Sequence, residues 1–140
     1  MSATRISLLL LCLTLLSGCS TFDRDWQAPA PADGLAGRWQ GRWVSDLNGH
    51  EGELRAIVTR LADDRYQARY RARYWKVMNF EYTVEMTTQQ REGELHFEGQ
   101  ADLGFFAGGV YTYKGTATDR QWLSTYESKF DHGRFEMEKK

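Results

Sequence analysis

The sequence predicts an all-β domain, with eight antiparallel strands in an up-and-down meander closed into a barrel. Three observations predict it. From Gly37 onward, apolar and polar side chains alternate with period two, as in strands that bury one face. The connections between the alternating runs are short and have no room for a crossover helix, so neighbours pair antiparallel. Each run has a single apolar face, and eight such strands hide that face by closing on themselves. A two-sheet sandwich is the alternative architecture.

The strands are expected at 37–47, 52–61, 65–74, 77–88, 93–103, 109–117, 120–128 and 133–138. In the third, Tyr66, Ala68, Tyr70, Ala72 and Tyr74 share one face, while Gln67, Arg69, Arg71 and Arg73 share the other. The fourth answers with Met78, Phe80, Tyr82, Val84 and Met86 inside, against Asn79, Glu81, Thr83 and Glu85. In the fifth, Leu95, Phe97, Gly99, Ala101 and Leu103 alternate with His96, Glu98, Gln100 and Asp102. Asn48-Gly49, Asp63-Asp64, Glu92-Gly93, Asp119 and Asp131-His132-Gly133 supply turn chemistry between the runs. Across the hairpin, Glu81 and Glu85 are expected to pair with the arginine face, for roughly 0.2–1 kcal/mol each.

The chain opens differently. Arg5 precedes an apolar run from Ile6 to Leu16, about 16 Å long as a helix against a hydrocarbon core of about 30 Å. The run is too short to span a bilayer and reads as a signal peptide. It ends in Leu16-Ser17-Gly18-Cys19, which resembles the lipobox of bacterial lipoproteins. That resemblance implies cleavage before Cys19, acylation of Cys19 and anchoring in a membrane. Two or more acyl chains hold a protein stably where one does not. In Gram-negative members of that family the next residue sorts between membranes, and Ser20 favours the outer one. The expected organisation is a signal at 1–18, a lipidated cysteine and flexible linker at 19–34, and a barrel at 35–140. Ala28-Pro29-Ala30-Pro31-Ala32 supports an extended linker, at about 3.1 Å per residue. Phe22 and Trp26 have two outlets, the membrane interface or the domain itself, and the sequence leaves both open.

Composition narrows the function. The 140 residues carry 18 basic and 19 acidic side chains, a net charge of −1, and loss of Arg5 with the signal moves it to −2. Such a balance has no electrostatic footprint for nucleic acid. Cys12 lies in the signal and Cys19 is the acylation site, so the barrel has no disulfide, reactive thiol or cysteine metal ligand. No serine lies in a G-x-S-x-G turn. His50, His96 and His132 are far apart, without the spacing of a zinc site. The expectation is a protein that is not an enzyme and needs no cofactor.

The first strand adds a resemblance. In Gly37-Arg38-Trp39-Gln40-Gly41-Arg42-Trp43 the two glycines and two tryptophans share one face. A glycine two residues before an inward tryptophan resembles the opening strand of lipocalins and avidins, the calycin barrels. The resemblance implies a barrel plugged at one end by the tryptophan and a tendency to bind small molecules. The chain lacks the larger loops and C-terminal helix of lipocalins, and the ligand contacts of avidins have no counterpart in it. Periplasmic lysozyme inhibitors, small barrel lipoproteins, supply the other reading, a protein-binding or structural envelope factor, although their cysteine motif is missing here.

A meander places alternate turns at opposite ends. One end collects Trp75, Phe105, Phe106, His50 and His132 with several glycines, and the other is polar and holds both chain entry and exit. The aromatic end is therefore the expected mouth or partner surface, away from the anchor. Trp43, Tyr70, Tyr74, Trp75, Phe105, Phe106 and His132 are the candidate ligand-binding residues. The predicted lining also includes Trp39, Tyr66, Phe80, Tyr82, Phe97, Tyr111, Tyr113, Trp122, Tyr126 and Phe135. Buried tyrosine hydroxyls need partners. So many of them fit either a wet or ligand-filled interior, or a filled barrel whose hydroxyls reach water. Phe105 and Phe106 are adjacent, so both cannot point inward from a strand. At least one is expected to be exposed or held in a bent loop.

Overall fold

A computed structural model describes residues 21–140, and the segment expected as a signal peptide, with Cys19, lies outside the described residues. Eight strands form a closed antiparallel barrel in sequence order. They are β1 (Gly37–Ser45), β2 (Glu51–Ala62), β3 (Arg65–Tyr74) and β4 (Met78–Arg91), then β5 (Glu94–Asp102), β6 (Val110–Ala117), β7 (Gln121–Glu127) and β8 (His132–Lys139). Closure is made by β1 against β8, with Trp43 opposite Phe135. Period-two burial is clearest in β3 and β7, whose inward residues are Tyr66, Ala68, Tyr70 and Ala72, and Trp122, Ser124 and Tyr126.

Strand ends differ from expectation where turns or register intervene. The first strand stops at Ser45, because the Ser45 carbonyl accepts the Gly49 N–H and closes the turn early. The fourth extends to Arg91, because Thr88 through Arg91 find partners on β5 from Phe97 back to Glu94.

The interior divides into two halves. Toward the end holding the β2–β3, β4–β5 and β6–β7 turns the interior is filled by aromatic side chains, and a polar groove of about 780 Å³ lies outside them among the turns and the 32–34 segment. Trp39 is fully buried there, and its Nε1 donates to the Leu35 carbonyl at 2.9 Å. Trp39 meets Trp122 edge-on at 5.4 Å, and Trp122 lies 4.4 Å from Phe97. Lys139 closes the end from outside, with Nζ 5.1 Å from the Trp39 ring and donating to the Gly34 carbonyl at 2.7 Å.

The expected flexible linker needs correction. Thr21–Gln27 is a short helix, α1, docked on the outer wall of the barrel. Phe22 and Trp26, one turn apart, stack at 6.0 Å on its inner face, and Phe22 is fully buried. The arginine face of β3 is built around them. Arg71 and Arg69 lie 4.5 and 5.3 Å from the Phe22 ring, and pair with Asp23 at 2.6 Å and Asp25 at 2.8 Å. Arg55 and Arg38 cover Trp26 from β2 and β1. Cation–π contact and charge pairing together outweigh the extended bias of the Ala-Pro run, which affects only the residues after the helix. Glu81 joins this network through Arg71 at 2.7 Å. Glu85, expected to act likewise, instead stands opposite Gln67 and Gln100.

Candidate functional site

The other half of the barrel is hollow. Its cavity, about 660 Å³, opens at the end formed by the β1–β2, β3–β4, β5–β6 and β7–β8 connections. Two local causes make the space. Ala72 contributes only a methyl group where β3 enters this half. The β4–β5 ladder begins only at Glu85 opposite Gln100, so residues 78–84 of β4 pair with β3 alone. The wall there is parted, and the Leu103–Gly109 connection passes beside the slot. A volume of this size suits a small organic molecule.

Aromatic side chains make the walls. Trp43 stands 4.7 Å from Tyr74, Phe80 lies 5.7 Å from Tyr82, and Tyr111 stacks on Tyr113 at 6.3 Å. Trp43 is fixed by donating Nε1 to the Arg73 carbonyl at 3.0 Å. Its ring needs the bare backbone of Gly52, where an added Cβ would sit 2.6 Å from Nε1 and 2.0 Å from the Arg73 oxygen. Tyr70 is fully buried beneath the cavity, against Tyr82, Tyr113 and Phe135 at 5.2, 6.1 and 5.4 Å. It separates the hollow half from the filled one, and its hydroxyl has no hydrogen-bond partner among the described residues.

The phenols are held neutral. Burial raises Tyr74 to about 12, with Tyr111 and Asp131 adding to the effect. Burial also raises Tyr70, Tyr82, Tyr113 and Tyr126 above the ordinary tyrosine value, with neighbouring phenols contributing. Around neutral pH Tyr74, Tyr82, Tyr113 and Tyr126 therefore line the walls with rings and hydroxyl groups without phenolate charge.

One charged side chain lines the cavity. Asp131 accepts the Ser45 hydroxyl at 2.6 Å, the Tyr126 hydroxyl at 3.0 Å and the His132 N–H at 2.9 Å. The Ser128 hydroxyl fixes the same turn by accepting the Asp131 N–H at 3.1 Å.

The rim is apolar. Phe105 and Phe106 lie in a 3-10 turn, Phe105–Ala107, and are 90% and 101% exposed. Neither caps the barrel or covers a strand; they meet edge to face at 5.5 Å. The turn stays low over the mouth because Gly108, with φ of +98°, lets it rest on the Tyr111 hydroxyl. Opposite stands Trp75, 75% exposed at the tip of the β3–β4 hairpin.

Of the residues singled out from sequence, Trp43, Tyr74, Trp75, Phe105 and Phe106 line this cavity together. Tyr70 lies one layer below, and His132 takes part only through its backbone. Asp131 was legible only as turn chemistry. Its contact with Ser45 requires the β7–β8 hairpin to close on β1, which no local pattern reveals. Among the described residues no three His, Cys, Asp or Glu side chains gather to hold a metal ion. No family model, curated protein or solved structure matches the chain.

Proposed function

We propose that this chain is a lipid-anchored envelope protein whose calycin-like barrel binds a small apolar or aromatic molecule through its open end. The aromatic cavity, continuous with the Phe105-Phe106 rim, carries this reading. Ligand sites of this kind are concave and mostly apolar, with a few polar groups that set orientation. Leu16 to Cys19 supports acylation at Cys19, and Ser20 supports the outer membrane. No constellation of residues in the cavity supports catalysis, and binding is the reading adopted.

A second reading draws on the rim itself. Trp75, Val77, Met78, Phe105, Phe106 and Phe130 are all exposed at or beside the mouth. An apolar patch of this kind also fits an envelope protein partner.

Mass spectrometry of the protein isolated from its own envelope tests the leading reading. Denatured protein is expected to begin at Cys19 and carry acyl chains, while native protein carries a small molecule. Ala72→Phe, which fills the cavity from its wall, is expected to lose that molecule and keep the acyl chains. A native species free of small molecule but bound to a second protein would establish the partner reading instead.

A further inference from the structure

We infer that the cavity selects an organic cation, a molecule with an ammonium head and an apolar body; this rests on the binding reading above and specifies its ligand. The charges of the site point this way. Among the described residues lining the cavity there is no lysine, arginine or histidine, and Asp131 is the one carboxylate. Asp131 is half-buried and makes no ion pair among the described residues. Its contacts are two hydroxyl groups and a backbone N–H, which orient the carboxylate but leave its charge uncompensated. Arg73 and Lys76 line an adjoining groove that also touches Asp131, where Arg73 faces Glu53 at 3.7 Å, and Arg134 beyond the turn is taken up by Asp46 and Glu136.

The walls favour the same sign. Trp43, Tyr74, Tyr111 and Tyr126 line the same cavity as Asp131, with Trp43 4.7 Å from Tyr74 and Tyr111 6.2 Å from Tyr126, so the space beside the carboxylate is walled by electron-rich rings. An ammonium over such faces gains by cation–π attraction, more strongly when water is excluded. A carboxylate or phosphate head would meet the Asp131 charge and no countercharge. Only neutral donors, the phenol hydroxyls and Asn79, would be there to solvate it, and one hydroxyl, on Tyr126, is already committed to Asp131. The apolar body of the ligand would lie along Phe80, Tyr82 and the Phe105-Phe106 rim.

Three probes with the same alkyl chain test this on the full-length chain in detergent-free buffer: decyltrimethylammonium, decanol and decanoate. Binding is followed by the fluorescence of Trp43 and Trp75, both in the cavity wall. The ammonium probe is expected to bind about tenfold tighter than decanol, the scale of a desolvated cation–π and charge contact, and decanoate weakest. Asp131→Asn keeps the side-chain size. It is expected to remove most of the ammonium advantage, improve decanoate and leave decanol unchanged, with the melting temperature recorded alongside. Decanol binding without an ammonium preference overturns the inference and leaves the binding reading standing. An ammonium preference that survives Asp131→Asn in folded protein overturns the role given to Asp131. Failure of all three probes to bind overturns both the inference and the reading beneath it.

Discussion

The two ends of this barrel are built from the same residue types and packed in opposite ways. At the closed end, Trp39, Trp122 and Phe97 touch one another, and the Trp39 N–H is satisfied by the Leu35 carbonyl. At the open end Trp43, Tyr74, Tyr111 and Tyr113 line empty space, and Trp75, Phe105 and Phe106 project from it. Aromatic content alone therefore does not distinguish a filled core from an open cavity. The difference lies in what faces each ring. The closed end has a lid segment, 33–36, folded across it and a lysine laid over the lid. The open end has a parted β4–β5 wall and a small residue, Ala72, where a large one would close the space.

The largest expected effect breaks the closed end. Trp39→Ala removes a fully buried indole from contact with Trp122 and strands the Leu35 carbonyl. Losses of this kind cost about 3–5 kcal/mol, a large share of a typical stability of about 5–15 kcal/mol. Urea unfolding measures it. A loss below about 1 kcal/mol would show that the closed end does not hold the barrel together, and the contrast between the ends would fail.

An effect of opposite sign is expected at the open end. Trp75, Lys76 and Val77 connect β3 to β4, and the Val77 N–H closes a turn on the Tyr74 carbonyl with Trp75 and Lys76 at its centre, at φ of +48° and +64°. Both are left-handed, a conformation natural to Asn-Gly and unfavourable for a bulky residue by roughly 1–2 kcal/mol. The cost keeps an indole at the mouth, where strain often accompanies function. Replacing the pair, Trp75→Asn with Lys76→Gly, is expected to raise stability by about 1–2 kcal/mol and to weaken ligand binding. Unchanged or lower stability in urea unfolding would mean that the Trp75 ring makes contacts that offset its backbone.

How much of this was legible in the sequence follows from range. Alternation is local, so strand identity, the inward faces and even the segregation of aromatic turns to one end were visible. The α1 helix was partly visible, since Phe22 and Trp26 stand one turn apart, but the arginines that receive them lie on three strands. Hollowness was not visible. It depends on the register between β4 and β5, which leaves residues 78–84 unpaired on one side, and register is a relation between distant segments. Asp131 was hidden for the same reason. Read locally, Asp131-His132-Gly133 is a turn, and only the closure of β8 on β1 brings Ser45 to its carboxylate.

The smallest expected effect on stability is also the most informative about function. Phe105 and Phe106 touch each other and little else, in a turn whose hydrogen bonds are backbone ones, Ala107 and Gly109 N–H to the Gly104 carbonyl. The Asp102 carboxylate holds the Gly104 N–H at 2.9 Å, so the turn does not depend on the rings. Phe105→Ala with Phe106→Ala is therefore expected to change stability by less than about 0.5 kcal/mol, as exposed substitutions do. Binding is a different matter. If a ligand body lies against even part of one ring, burying about 60 Å² of apolar surface there adds about 1.5 kcal/mol, roughly tenfold in affinity. Decanol titration of the double variant, beside its urea curve, separates the two quantities. Weaker binding at unchanged stability places the rings in the site. A large stability loss with affinity intact in the folded fraction would make them structural, and the open end would then be a core like the closed one, lacking only its lid.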